Sequence, residues 1–289
     1  MDTKEILKKV RSIEIKTKGL SNHIFAGEYN TAFKGRGMTF SEVREYEIGD
    51  DLRTIDWNVT ARYNSPFVKV FEEEREITLM LMVDVSSSSS FGTNKRFKRE
   101  LVSEISAVLA FSAIKNNDKV GVIFFSDKIE KFISPSKGKK HILRIIKEIL
   151  TFKSSSKKTN IKKALEYFNR VTKKRSICFL LSDFFDSDFF EPIKITAKRH
   201  DLVAVNTLDK RELEIPNVGL LSLQDSENEN EILVDSSDRK FRRNFKNKQF
   251  SRIETLKKEL RLSGADYIQL LTQEDIISPL INFFKNRNK

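Results

Sequence analysis

Three short stretches of this chain carry side chains able to hold a hard cation. Asp84-Val85-Ser86-Ser87-Ser88 follows an apolar run, Thr159 stands just ahead of an amphipathic stretch, and Ser182-Asp183 follows a second apolar run, ICFLL. Together Asp84, Ser86, Ser88, Thr159 and Asp183 offer two carboxylates and three hydroxyls, with no His or Cys among them. All-oxygen donors suit Mg²⁺ or Mn²⁺, which keep near-octahedral geometry and retain waters. The alternation of 84, 86 and 88 has a physical sense. In a loop leaving a strand, residues two apart turn toward one ion while those between face away. Two carboxylates do not saturate a divalent ion, so a position stays open for a water or for an acidic side chain of another protein. Each piece also has a plainer reading: Ser86–Ser90 as a serine linker, Thr159 as a helix N-cap, Asp183 as the cap of a turn. Their joint occurrence, in this order and at strand ends, favours the metal site.

The elements that must position these residues are legible as alternating strands and helices. Residues 77–83 are continuously apolar, short enough for a strand buried on both faces. A helix over 101–114 is apolar nearly all round, and residues 120–125 read as the next strand. Ser126-Asp127 turns the chain back into 129–133, antiparallel because so few residues intervene. Helices are predicted at 139–152 and 160–170, the latter with Ile161, Ala164, Leu165 and Phe168 on one face. A strand at 177–181, a helix at 189–199 and a strand at 202–205 continue the alternation. The pattern predicts an α/β fold, a doubly wound and mostly parallel sheet of Rossmann type. Ligands of such sheets gather at the carboxyl ends of the strands. Residues 77–210 would form this domain, 1–76 an N-terminal extension, and 211–289 a C-terminal extension completing it. That last segment holds a hairpin (220–223 and 232–234 around the acidic loop 225–231), a basic helix at 248–263, a strand at 267–271 and a helix at 274–286.

Other chemistries fare worse. An aspartyl-phosphate enzyme would use a strand-ending nucleophile such as Asp84, but it wants a second carboxylate two residues on, where Ser86 stands. His23, His141 and His200 fall in no motif pairing them with a nucleophile. No G-x-x-x-x-G-K-[ST] loop occurs. The expectation is a protein that binds rather than catalyses.

The formal net charge of +12 raises nucleic acid as a partner. The segment from Arg239 to Arg261 holds ten Lys and Arg against two Glu, and Lys137, Lys139, Lys140, Arg144 and Lys147 form a second cluster. No nucleic-acid-binding motif accompanies them, so solvated basic helix faces are preferred, with contact to an anionic membrane surface as an open alternative. The lone Cys178 lies within an apolar run, as a small core residue in a reducing compartment would. With no ~20-residue apolar span and no signal-like start, a cytoplasmic location is expected.

The arrangement of Asp84, Ser86, Ser88, Thr159 and Asp183 resembles the metal-ion-dependent adhesion site of von Willebrand factor A domains. A second block is similar to the signature of a bacterial domain-of-unknown-function family of that fold, whose genes often neighbour MoxR-type AAA+ ATPases. Its residues are Gly35-Arg36-Gly37, Arg44-Glu45-Tyr46, Gly49-Asp50-Asp51, Arg53, Ile55-Asp56-Trp57, Ala61-Arg62 and Phe71-Glu72-Glu73-Glu74-Arg75. The resemblance implies an adaptor or co-chaperone working with such an ATPase, or with an envelope-complex protein, through those five ligands. Two departures stand out. Ser87 to Ser90 precede Phe91-Gly92 where relatives often have Ser-Met, so another serine register could supply the second hydroxyl. Many relatives also carry two N-terminal membrane spans that this sequence does not show.

The 35–75 block has its own physical reading. Asp50, Asp51, Arg53, Asp56 and Arg62 crowd around Trp57. Were Trp57 buried among them, they would form an interlocked network; a partner surface is the alternative.

Overall fold

A strand apolar on both faces must be covered on both, and that requirement organises the main unit. The computed structural model describes residues 11–12, 38–73, 77–93, 96–224 and 231–287. Strand β3 (Thr78–Asp84) buries Leu79 through Val83 almost completely. It pairs in parallel with β4 (Lys119–Phe125) on one side and with β6 (Ile177–Ser182) on the other. The sheet extends through β7 (Asp201–Leu208) to β10 (Asp266–Leu271), both parallel, while β5 (Ile129–Ser136) closes the opposite edge antiparallel to β4. The order is β10-β7-β6-β3-β4-β5. This is the expected doubly wound, von Willebrand factor A-like arrangement, with the antiparallel edge where the short 126–127 turn puts it. β10 comes from the C-terminal segment, which therefore contributes an edge strand of the same sheet.

Helices cover both faces. On one, Met80, Met82, Cys178 and Leu180 of the sheet meet Ile161, Leu165 and Phe168 of α4 (Ile161–Val171), Ile193 of α5 (Phe190–Arg199) and Leu256 and Leu260 of α7 (Arg239–Leu262). The periodic apolar face of α4 is thus the buried one, and Cys178 is the core residue expected. On the other face lies α2 (Lys98–Lys115), beside α3 (Lys139–Thr151). α3 buries Ile142, Ile145, Ile146 and Ile149, an i, i+3, i+4, i+7 stripe. α2 buries Ser103, Ser106, Ala107, Ala110 and Ser112, small residues that let it lie close to its neighbours. Two short helices were not apparent in the sequence pattern: α6 (Lys210–Leu213), capped by Asp209, and α1 of the second unit. α8 (Ile277–Arg287) ends the described chain.

Some boundaries differ from expectation. α2 starts at Lys98 rather than 101, and α7 starts at Arg239 rather than 248. In α7 only Ile253, Leu256 and Leu260 are buried, so its first turns carry no apolar stripe to reveal them; Asp238 caps them by accepting from the Lys240 amide at 2.7 Å. The hairpin of β8 (Leu220–Gln224) and β9 (Glu231–Asp235) forms as expected, while its acidic loop, residues 225–230, lies outside the described residues. Ile6, Leu7 and Val10, whose spacing predicts a short N-terminal helix, also lie outside the described residues.

Residues Phe33–Ile77 form a separate compact unit. In it β1 (Met38–Glu45) pairs antiparallel with β2 (Phe67–Glu73), around α1 (Trp57–Tyr63). Of the charges expected to interlock, Asp50 and Asp56 make ion pairs, but with Arg44 and Lys69 rather than with the other members named. Arg44 forks onto Asp50 at 2.8 and 2.7 Å, and Asp50 also accepts from the Glu47 amide. Asp56 caps α1 through the Asn58 and Val59 amides and pairs with Lys69 at 3.4 Å. Trp57 is not buried among these charges. It is the first residue of α1 and 70% exposed, as are Ile48, Leu52 and Tyr63 to similar or greater extent. The Gly35-Arg36-Gly37 and Glu74-Arg75 parts of the block lie outside the described residues.

Candidate functional site

The sheet order changes direction at β3, whose two neighbours are reached by connections running opposite ways. The crevice beyond the carboxyl ends of β3 and β6 is therefore a switch point, where doubly wound sheets bind ligands. Asp84 ends β3, and Ser182-Asp183 ends β6. Asp84 is 6% and Asp183 4% exposed. The Ser86 amide donates to Asp84 Oδ1 at 3.0 Å, and the Ser182 hydroxyl donates to Oδ2 at 2.7 Å. Burial, and then the charge of Asp183, pushes the Asp84 carboxyl up to about 6. Burial also pushes Asp183 up, but the Lys98 ammonium and the Ser88 hydroxyl outweigh it and hold that carboxyl below the usual range.

The serine register resolves into two sets. The hydroxyls of Ser86 and Ser88 lie 3.1 Å apart, Ser86 bonding Asp84 and Ser88 bonding Asp183. Ser87 and Ser89 turn the other way, donating to the carbonyls of Lys157 and Ser86 at 3.0 and 2.8 Å. Alternation thus holds, tightened into a 3₁₀ turn over Ser87–Ser90. Thr159 does not cap α4; Asn160 does, accepting from the Lys163 amide at 2.8 Å. Its segment is nonetheless tied to this loop cluster. Ser87 reaches Lys157 through both amide and hydroxyl, and Asp186, beyond β6, accepts from the Ile161 amide at 2.7 Å. Four of the five candidate residues are joined directly by hydrogen bonds, and Thr159 is half-buried in the adjoining loop.

Three charged side chains of the site carried no readable signal in the sequence. Lys98, the first residue of α2, is 2% exposed and places Nζ 2.9 Å from Asp183 and 2.5 Å from Glu212. Burial drags on the ammonium, but the two carboxylates more than offset it and keep it charged. Glu212 also accepts from the Asp209 amide at 2.7 Å. Arg252 of α7 lies over the Phe185 ring, 3.3 Å from its centroid, within the field of Asp183 and Glu212. A lysine among fifty-three Lys and Arg is invisible by type; only the close return of Lys98 to Phe91 exposes its role.

That turn depends on Gly92. The Lys98 amide donates to the Phe91 carbonyl at 2.9 Å. A Cβ on Gly92 would sit 2.6 Å from the Arg96 carbonyl oxygen and 2.7 Å from the Phe97 Cα, both backbone atoms that cannot rotate away. Gly92→Ala should lower stability by roughly 1–3 kcal/mol, read as a lower urea midpoint with an unchanged slope. Beyond β6, Phe184 adopts φ 54°, a left-handed conformation unfavourable for a bulky residue, and buries its ring 5.8 Å from Phe189. Such strain concentrates at functional loops.

The donor set fits a hard divalent cation. Among the described residues, no three His, Cys, Asp or Glu side chains cluster for a metal, so an ion here would need hydroxyl as well as carboxylate donors. Burial, with repulsion from Asp183 added to it, raises the Asp84 carboxyl, and the paired hydroxyls of Ser86 and Ser88 adjoin the two carboxylates. One oxygen of Asp183 is committed to Lys98. Asp84, Ser86 and Ser88 are consequently the better donors, with Asp183 adding charge and Thr159 a further hydroxyl.

A model of the family described as "Protein of unknown function DUF58" matches residues 42–254. An uncharacterized protein of Mycobacterium tuberculosis is 26% identical over 292 residues, spanning 100% of this chain and 92% of its own length. The uncharacterized YeaD of Bacillus subtilis is 29% identical over 110 residues, 38% of this chain and 25% of that protein. Among solved structures, an aerotolerance-related membrane protein from Bacteroides fragilis superposes with TM-score 0.51 at 16% identity, covering 73% of this chain and 98% of that one. That likeness shows a shared fold.

Proposed function

The chain belongs to the family described as protein of unknown function DUF58, and on that premise we propose that it is a metal-dependent protein-binding adaptor. Asp84, Ser86, Ser88, Thr159 and Asp183 would hold Mg²⁺ or Mn²⁺ at the switch point, and the ion would capture an acidic residue of a partner. When bound, the ion supplies a fixed positive charge with an open position; the chain's own residues orient it and exclude bulk water. The observation that carries this reading is the pair of buried carboxylates, Asp84 and Asp183, bridged by the hydroxyls of Ser86 and Ser88. Exposed aromatic side chains in the adjoining loops, Phe91, Phe97 and Phe185, supply apolar contact area for a protein partner. The partner we propose is a MoxR-type AAA+ ATPase, or an envelope-complex protein assembled with its help, met in the cytoplasm. No helix of the described chain is long and apolar enough to cross a membrane. Binding rather than catalysis is proposed because, among the described residues, no nucleophile–base pair accompanies the carboxylates.

Co-purification with the MoxR-type ATPase of the same organism tests this. Capture should occur in Mg²⁺ and fail for Asp84→Ala in the same buffer. The variant arm is the informative one, since a chelator also strips Mg²⁺ from the ATPase nucleotide. Capture that survives Asp84→Ala would remove the metal from the mechanism.

A further inference from the structure

We infer that Lys98 is an internal counter-cation that competes with the divalent ion for Asp183, and passes to Glu212 when the ion binds. The inference rests on the metal-binding reading above and goes beyond it, naming what sets the affinity of the site.

Lysine is almost never fully buried unless paired, and Lys98 is paired twice, to Asp183 at 2.9 Å and to Glu212 at 2.5 Å. An ammonium is a compact charge with three donors on a flexible stem, so it can shift between neighbours without backbone movement. Its two acceptors are not equivalent. Asp183 ends β6 inside the loop cluster and also accepts from the Ser88 hydroxyl and the Phe185 amide, so it faces the candidate ion site. Glu212 stands on the far side, its second oxygen fixed by the Asp209 amide. Asp209 is in turn anchored: Thr93, Gln273 and the Arg211 amide donate to its carboxylate at 2.7, 2.9 and 2.8 Å. The ammonium therefore has one partner that an ion would claim and one that is held rigidly in place.

Charge gives the direction. Lys98 and the nearby Arg252 are two cations against the three carboxylates of Asp84, Asp183 and Glu212, which leaves the pocket attractive to a further cation. A divalent ion near Asp183 and the ammonium repel each other at close range, and low-dielectric surroundings strengthen the repulsion. While Lys98 holds Asp183, the loops beyond β3 and β6 keep their shape without metal, at the expense of affinity for it. Metal binding would then be weak, reversible and felt at α6 through Glu212.

Two variants move the balance in opposite directions. Lys98→Met keeps the length of the stem and removes the charge; Glu212→Gln keeps the α6 cap and leaves the ammonium to Asp183 alone. Isothermal titration of MgCl₂ into the full chain, with thermal melts in chelator and in Mg²⁺, reads both. Lys98→Met should bind Mg²⁺ on the order of tenfold more tightly than wild type, melt lower in chelator, and recover more of its melting temperature on adding Mg²⁺. Glu212→Gln should bind Mg²⁺ several-fold more weakly. Unchanged or weaker binding by Lys98→Met, with Asp84→Ala still abolishing wild-type binding, would overturn the inference and leave the metal site standing. Absence of Mg²⁺ binding at millimolar concentration in both wild type and Lys98→Met would overturn the metal reading itself, and this inference with it. If Lys98→Met does not fold, Glu212→Gln decides alone: weaker binding supports the competition, and unchanged affinity overturns it.

Discussion

In the presence of a chelator, Asp84→Asn should melt at a higher temperature than the wild-type protein, and saturating Mg²⁺ should reverse the order. Burial and the neighbouring Asp183 push the Asp84 carboxyl up to about 6, so its ionised form is a liability to the metal-free fold. The sign follows from linkage. A carboxyl raised on folding contributes stability that is full below its unfolded value near 3.8 and is lost as pH climbs through about 6. Above that pH the amide removes a penalty of roughly 1–3 kcal/mol, worth about 2–5 °C in a protein of this size. Asparagine can keep both hydrogen bonds, its carbonyl accepting from the Ser86 amide and its amide group donating to the Ser182 hydroxyl. Near pH 4 the advantage should vanish. With Mg²⁺ at a thousand times its dissociation constant the wild type gains about 4 kcal/mol by mass action, more than the penalty, and the variant gains nothing. Differential scanning calorimetry in the two buffers gives the answer. A variant that stays ahead of the wild type in saturating Mg²⁺ would deny Asp84 its place as a ligand.

Mild acid should destabilise the fold through His200. The side chain closes α5, is 1% exposed, and packs tilted against Phe168, ring centroids 4.6 Å apart, with both ring nitrogens buried and without a hydrogen-bond partner among the described residues. Burial, reinforced by Arg199 and Arg175, pulls the imidazole down to about 4. The unfolded chain then binds the proton first, so stability is full above about 6.5 and falls as pH drops toward 4. At pH 5 the loss is about 2 kcal/mol. Replacing His200 with Leu should flatten the difference in urea midpoint between pH 7 and pH 5. Metal-free Asp84 acts in the opposite direction over an overlapping window, so the comparison is cleanest in the Asp84→Asn background. An undiminished pH dependence in that double variant would place the acid sensitivity elsewhere.

The fold was legible where burial writes itself into sequence. The continuous apolar runs of β3, β4 and β6 can belong only to strands covered on both faces, and the periodic face of α4 names its own core side. The first half of α7 was unreadable because it buries nothing, and α1 because seven residues are too few for a period. Trp57 misled for a physical reason: tryptophan is usually covered, but at the first position of α1, in a unit this small, its ring is left 70% exposed. Within the site, strand ends and alternation located Asp84, Ser86, Ser88 and Asp183 as a group. Thr159 was located only to its loop, since the capping role falls to Asn160 one residue on. Lys98 and Glu212 lie 85 and 29 residues from Asp183 in sequence. Nothing local marks either of them, and their pairing exists only once α2 and α6 are packed.

Whether Asp84 and its neighbours hold a divalent cation is decided by calorimetric titration of MgCl₂ into the wild-type protein and Asp84→Ala. The experiment belongs above pH 7, where Asp84 is ionised, and at physiological salt, where exposed carboxylates bind Mg²⁺ negligibly. One site is expected in the wild-type protein and none in the variant. Equal binding by both, or none by either, would rule out a cation held by Asp84.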